Sequence, residues 1–367
     1  MTLAASSLSE DRQAARAAFL AAAGWAEAEA RPLAGDASTR SYERLSLGGR
    51  TALLMNAPPA AESAPCPPGA SADERRRLGY NAMARLAGPN LNAFLAVAET
   101  LRAAGLSAPA VYAADAATGF ALIEDLGDDL YSRAIAAGAD ERALYEAAID
   151  ALLALAEAAP PPPTTAGYAM LDYDRIAMEA EIGLLPEWWR RLRAGAPAPA
   201  SLTADYFAAW AGLLDALSAP SLMALRDYHA DNLLWLPWRE GPARVGIIDF
   251  QDALVGQPAY DLVSLLEDAR RDVGEDLAEA MIARYCARAR DAGRFDEEAF
   301  RRDYAILAAQ RNAKILGIFA RLVLRDGKTR YAALLPRVEA LFRRDLARPP
   351  LAPVRAMIER RFPELAP

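Results

Sequence analysis

Two short segments of the chain gather the side chains that can do chemistry. The first runs Leu225-Arg226-Asp227-Tyr228-His229-Ala230-Asp231-Asn232 into the apolar Leu233-Leu234-Trp235; the second is Ile247-Ile248-Asp249-Phe250-Gln251-Asp252. Each joins carboxylates or a carboxamide to an apolar run able to anchor it. Oxygen donors from Asn and Asp at strand ends suit Mg²⁺, which takes one or two protein carboxylates plus substrate phosphates. A further carboxylate, set off from the metal, can accept or orient a hydroxyl proton. Phosphoryl transfer asks the protein mainly to position groups and neutralise charge, so this small kit is sufficient. His229 is the one histidine of the chain. That excludes an H-E-x-x-H metalloprotease helix and any multi-histidine metal site. A Ser-His-Asp triad would have to use this residue.

The rest of the chain must hold those segments. At 367 residues it can form two packed units or one large bilobal one. Hydrophobic residues make up 53% and charged residues 25%, enough for a sizeable core and too apolar for wholesale disorder. Lys+Arg 41 against Asp+Glu 49 gives a net charge of -8, which argues against a general nucleic-acid or anionic-membrane binder. Cys66 and Cys286 match no zinc or disulfide framework, so a reduced, cytoplasmic setting is expected. The start of the chain soon reaches Glu10 and Asp11 and lacks the features of a signal peptide. The Ala/Leu stretch at 143–159 is broken by Glu146, Asp150 and Glu157, so no membrane span is expected.

Ser9, followed by Glu10 and Asp11, predicts a capped helix over 11–23 that Gly24 can end. Residues 41–47 and 50–55 read as strands joined by Gly48-Gly49, a hairpin signal. Residues 58–73 read as a flexible surface loop, and 92–104 as a helix with Phe94, Leu95, Ala98 and Leu101 on one face. Two more strands are expected at 109–113 and 120–124. From 129 onward the pattern is mostly helical, broken by a stiff linker at Pro160-Pro161-Pro162-Pro163. The exception is a β-pair made by 233–236 and 245–248. There is no internal repeat.

The spacing Asp227-x-His229-x-x-Asn232, followed by Ile248-Asp249-Phe250, resembles the catalytic and metal motifs of the aminoglycoside-phosphotransferase family, a branch of the protein-kinase-like fold. The resemblance implies an α+β bilobal fold: a small β-containing N-terminal lobe (1–125) and a larger, mainly helical C-terminal lobe (126–367). It implies Asp227 as the catalytic carboxylate, Asn232 and Asp249 as Mg²⁺ ligands, and ATP as phosphoryl donor. Gly35-Asp36-Ala37-Ser38-Thr39-Arg40-Ser41-Tyr42 resembles the phosphate-covering loop of one subgroup, the cell-wall-recycling kinases that phosphorylate N-acetylmuramate and N-acetylglucosamine at the anomeric hydroxyl. Leu122-Ile123-Glu124-Asp125-Leu126-Gly127-Asp128 is similar to its hinge, which implies adenine contacts near Glu124 and Leu126. The segments 181–188 and 310–322 are also similar to that subgroup. With them Glu181, Trp188, His229, Arg311 and Lys314 become candidates for the acceptor side. The likeness spans roughly residues 28 to 340. It implies an ATP- and Mg²⁺-dependent sugar kinase of peptidoglycan recycling, with a small amino sugar as its partner and no nucleic acid, membrane or obligate protein partner. Rival readings are a kinase for an aminoglycoside, choline or homoserine, or a catalytically silent nucleotide-binding module.

Plainer readings stand beside these. Leu225 stands where many relatives carry an architectural histidine, and strand 51–55 has no lysine to reach the phosphates, so Arg40 or Arg44 is expected to supply that charge. His229 reads as a histidine holding the catalytic loop, Asp231 as a solvated acid and Asp252 as a strand-end cap or ion-pair partner. Arg311 and Lys314 lie three apart and share a helix face. Either they are solvated surface charges or one faces the sugar, where the lactyl carboxylate of N-acetylmuramate would give a cation its reason. Trp188 and Trp189 read as core or cleft lining, with a sugar able to stack on one. Gly327-Lys328-Thr329 is no P-loop, because position 322 is Leu rather than Gly.

Overall fold

Alternating side chains and two glycines build the first sheet. The computed structural model describes residues 9–33, 40–59, 65–158, 167–293 and 295–367. The expected phosphate-loop residues Gly35, Asp36, Ala37, Ser38 and Thr39 and the linker 160–163 lie outside the described residues. Strands β1 (Glu29–Pro32), β2 (Ser41–Leu47), β3 (Arg50–Asn56), β4 (Val111–Asp115) and β5 (Phe120–Ile123) form an antiparallel sheet in the order β1-β2-β3-β5-β4. Gly48 and Gly49 both take positive φ, 56° and 79°, as the tight β2–β3 turn requires. The period of two splits the sheet's faces. Ala52 and Leu54 pack with Phe120, Leu122, Leu20 and Trp25, whereas Met55, Ala121 and Ile123 join the large core. Helix α1 (Glu10–Ala22) covers the first face, and the Ser9 side chain accepts from Arg12 N at its start.

Three helices intervene before β4: α2 (Ala72–Leu78), α3 (Tyr80–Met83) and α4 (Leu91–Ala103). The expected loop therefore stops sooner than 73. Ser71 caps α2, and Asp73 and Glu74 sit at its positive end. Helices α5 (Tyr131–Ala136) and α6 (Glu141–Ala156) follow β5. Next come α7 (Arg175–Ile182), a π-turn at Leu185–Trp189, α8 (Arg190–Ala194) and α9 (Ala200–Asp215).

Two short antiparallel ribbons then carry the chemistry-bearing segments. Strand β6 (Leu222–Ala224) pairs with β9 (Leu254–Gly256), and β7 (Leu233–Trp235) pairs with β8 (Val245–Ile247). The pairing is nested: the loop leaving β6 and entering β7 must lie beside the loop leaving β8 and entering β9. Asp227 to Asn232 occupy the first loop and Asp249 to Asp252 the second. Helices α10 (Ala259–Leu266), α11 (Glu275–Asp291), α12 (Glu297–Leu324), α13 (Leu335–Leu346) and α14 (Ala352–Arg361) complete the fold. The 28-residue α12 runs through the core and buries Asp303, Gln310, Arg311, Asn312 and Lys314 with its apolar residues. Gly317 lets it press against Leu184, whose backbone a Cβ at that position would strike. No described helix is long and apolar enough to cross a membrane.

Candidate active site

The loop between β6 and β7 is held from beneath. Asp261, at the start of α10, accepts from the backbone N–H of Leu225 (2.7 Å) and Arg226 (2.8 Å), and Ser264 Oγ donates to Arg226 O (3.2 Å). Arg226 itself takes φ +74°, a conformation that a non-glycine residue adopts only when its surroundings impose it. Its guanidinium is buried and pairs with Glu181. Glu181, wholly buried, also accepts from Tyr173 OH and from Gln310 Nε2 (2.9 Å), and lies 3.5 Å from Lys314 Nζ. Lys314 in turn donates to Tyr260 OH (2.9 Å). This network fixes the turn that presents Asp227.

Asp227 sits half-buried at the head of that turn. Burial opposes its ionisation, but Lys314, Arg311 and Arg226 outweigh it and hold the carboxyl below the usual carboxylate range. Its own carbonyl accepts from Asn232 Nδ2 (2.9 Å) and from the His229 N–H (3.1 Å). With the amide nitrogen of Asn232 directed inward, its Oδ1 is the end left for a ligand. Asp249, on the neighbouring loop, takes φ +57° and accepts from Gln251 Nε2 (2.9 Å). It keeps 48% of its side chain open yet lies deep between the two loops. That desolvation, with the nearby Asp227 charge, raises its pKa. Asn232 Oδ1 and Asp249 are two oxygen donors of the kind that could hold Mg²⁺. No group of three or more His, Cys, Asp or Glu able to hold a metal occurs among the described residues.

Arg40 faces the same place, with Nη1 3.6 Å from Asp249 Oδ1 and Nη2 donating to Gly88 O (3.0 Å). Arg44 does not: its guanidinium joins β2 to Asp125 (2.6 Å) and Asp128 (2.7 Å) of the connector. Tyr42 OH, 3.4 Å from Met55 Sδ, fills the space beside the strand position that lacks a lysine. On the connector, Glu124 spends its carboxylate on Arg239 and on Ala110 N (3.1 Å) and its backbone N–H on Ala110 O (2.8 Å), so its carbonyl is what remains for a nucleotide. Leu126 is buried with Leu234 and Leu236, roofing the β7–β8 ribbon.

The acceptor-side candidates divide. His229 is buried, its Nε2 facing Arg270 Nη1 (3.1 Å) and Asn232 Nδ2 (3.3 Å). Burial first, and then Arg270, lower its pKa to about 4, so it is neutral at neutral pH. Arg311 and Lys314 are not solvated surface charges: both are more than nine-tenths buried, because α12 passes through the core. Trp188, half-buried, lies under Arg191, and among the described residues no contact joins it to Asp227. Trp189 is core and donates to Glu339 (2.9 Å). Asp252 serves as a cap, accepting from Ala87 N (2.7 Å). Sequence reasoning missed Asp261 and Arg270. The signal for Asp261 was present: a lone carboxylate in the apolar run Ala259–Leu266 must have a partner once buried.

A family model described as "Phosphotransferase enzyme family" matches residues 29–297, which take in the sheet, both ribbons and both loops. The chain belongs to this family. It is 48% identical over 361 residues to the N-acetylmuramate/N-acetylglucosamine kinase of Caulobacter vibrioides, covering 97% of this chain and 98% of that one. Solved structures agree on the fold. A choline/ethanolamine kinase family protein from Mesorhizobium loti aligns at TM-score 0.55 and 17% identity, covering 95% of this chain and 99% of its own. An aminoglycoside phosphotransferase solved with GDP and kanamycin aligns at 0.52 and 16%, covering 85% and 93%. The kinase-like fold expected from the motifs is thus the fold of this phosphotransferase.

Proposed function

We propose that this phosphotransferase is an amino-sugar kinase that moves the γ-phosphoryl group of ATP to the anomeric hydroxyl of N-acetylmuramate, N-acetylglucosamine or both, in peptidoglycan recycling. The observation that carries the reading is the meeting of Asp227, Asn232 and Asp249 on two adjacent loops. Identity to a kinase of that name along almost the whole of both chains supports the choice of acceptor. We set the boundary between the lobes at residue 125, after β5. Free, buried Cys66 and Cys286 fit a cytoplasmic enzyme.

Asn232 Oδ1 and Asp249 would hold Mg²⁺, which supplies charge neutralisation at the phosphates when bound. Arg40, directed at Asp249, would grip the phosphates in place of the absent strand lysine. The backbone near Glu124 and Leu126 would take the adenine. Asp227, kept ionised by its cationic neighbours, would accept the proton of the acceptor hydroxyl. The ring oxygen makes the anomeric hydroxyl more acidic than an ordinary alcohol, so a carboxylate is an adequate base for it. The product would be a sugar 1-phosphate. A panel of acceptors, followed by ATP consumption and ³¹P NMR, tests this. The reading requires a 1-phosphate from an N-acetylated amino sugar; turnover confined to aminoglycosides or choline would overturn it.

A further inference from the structure

The buried polar atoms near Asp227 that have no hydrogen-bond partner among the described residues include Nδ1 of His229 and Nε and Nη1 of Arg311. The state of His229 follows from its partners. Nε2 faces Arg270 Nη1 and Asn232 Nδ2, both of which can only donate, so Nε2 is the bare acceptor and Nδ1 carries the proton. The second bond of Asn232 Nδ2, to Asp227 O, fixes which end of that amide is nitrogen. All three idle atoms are therefore N–H donors, and what they lack is an acceptor.

Arg311 is the exception on its own helix. The other buried polar residues of its turn are engaged: Gln310 with Tyr173 and Glu181, Asn312 with Glu267 and Asp345, Lys314 with Tyr260 and Glu181. Arg311 is 3% exposed and makes no hydrogen bond or ion pair among the described residues. Its charge nevertheless bears on both Asp227 and His229, so it stands within reach of the reacting hydroxyl's surroundings. Buried guanidinium N–H groups without acceptors are costly even when carboxylates lie nearby, and an anion with oxygen acceptors satisfies them. Of the two amino sugars, only N-acetylmuramate brings one, on its lactyl arm.

We propose that Arg311, supported by the Nδ1–H of His229, receives the lactyl carboxylate of N-acetylmuramate and sets a preference for the acidic sugar over N-acetylglucosamine. The proposal rests on the sugar-kinase reading above and gives Arg311 a part in specificity beyond its share in holding the Asp227 charge. Arg311→Met and Arg311→Lys, compared with the unaltered enzyme on both sugars, test it. Arg311→Met should lower kcat/KM for N-acetylmuramate roughly 10- to 100-fold, the worth of a charge-assisted hydrogen bond, mostly through KM. N-acetylglucosamine should lose only what the weaker hold on the Asp227 charge costs, so the ratio of the two kcat/KM values should fall roughly tenfold or more, and Arg311→Lys should recover part of that selectivity. Equal losses on both sugars, or none, would overturn it. The methyl ester of N-acetylmuramate supplies the same test on the unaltered enzyme: it should lose the advantage of the free acid, and an ester as good as the acid refutes the clamp. If the unaltered enzyme phosphorylates neither sugar, the kinase reading itself fails.

Discussion

At the scale of single residues, Asp227 and His229 make opposite electrostatic demands on one pocket. Asp227 stays ionised because Lys314, Arg311 and Arg226 outweigh its burial. Its replacement by Asn should lower turnover about 10²–10⁴-fold, the usual contribution of a general base, while nucleotide still binds by calorimetry. An unchanged rate would remove it from the mechanism. His229 stays neutral because burial and Arg270 disfavour its charged form. As the one histidine, it gives an unambiguous NMR titration, expected near pH 4 rather than 6.5. The sign for stability follows. Between pH 6.5 and 4 the unfolded chain binds the proton and the folded chain does not, so stability falls as pH drops through that window. The loss reaches up to about 3 kcal/mol, and it should shrink in His229→Asn. A histidine titrating at its ordinary value would contradict the burial.

At the scale of elements, the nested ribbons bring the two loops together and the Glu181 network holds one of them in place. Removing the Glu181 carboxylate leaves Arg226 and Lys314 buried without their counter-charge, which should destabilise the fold by about 3–5 kcal/mol in denaturant unfolding. A change under 1 kcal/mol would show that the network is incidental. Arg40 and Arg44 give a paired prediction on the sheet. Arg40→Ala should raise KM for ATP by roughly tenfold or more. Arg44→Ala, which loosens β2 from Asp125 and Asp128, should leave phosphate affinity nearly unchanged; the reverse order would exchange their roles. Much of this level was legible in the sequence. Ser9 announced α1, Gly48-Gly49 announced the β2–β3 turn, and the apolar runs at 233 and 245 announced their pairing. Strand β1, exposed along its length, and the three-residue β6 and β9 carry too little pattern to be seen. The polar residues of α12 read as a surface face because the sequence does not display partners that arrive from α7, α10 and α13.

At the scale of the whole molecule, a chain of net charge -8 buries Arg226, Arg311 and Lys314 near the loop that carries Asp227. That combination suits a small anionic or phosphorylated ligand better than a polyanion, which would meet the surface first. The candidate trio Asp227, Asn232 and Asp249 stood out in the sequence because its motifs are local and short-range. The support beneath it was not, since Asp261, Glu181 and Arg270 reach the site only through tertiary packing. The most direct test of the account is the site of phosphorylation, read by NMR on N-acetylmuramate labelled with ¹³C at carbon 1. Incubated with ATP and Mg²⁺, the protein should yield a carbon-1 resonance split by phosphorus. An unsplit resonance, with the phosphate on another oxygen or released as inorganic phosphate, would contradict it.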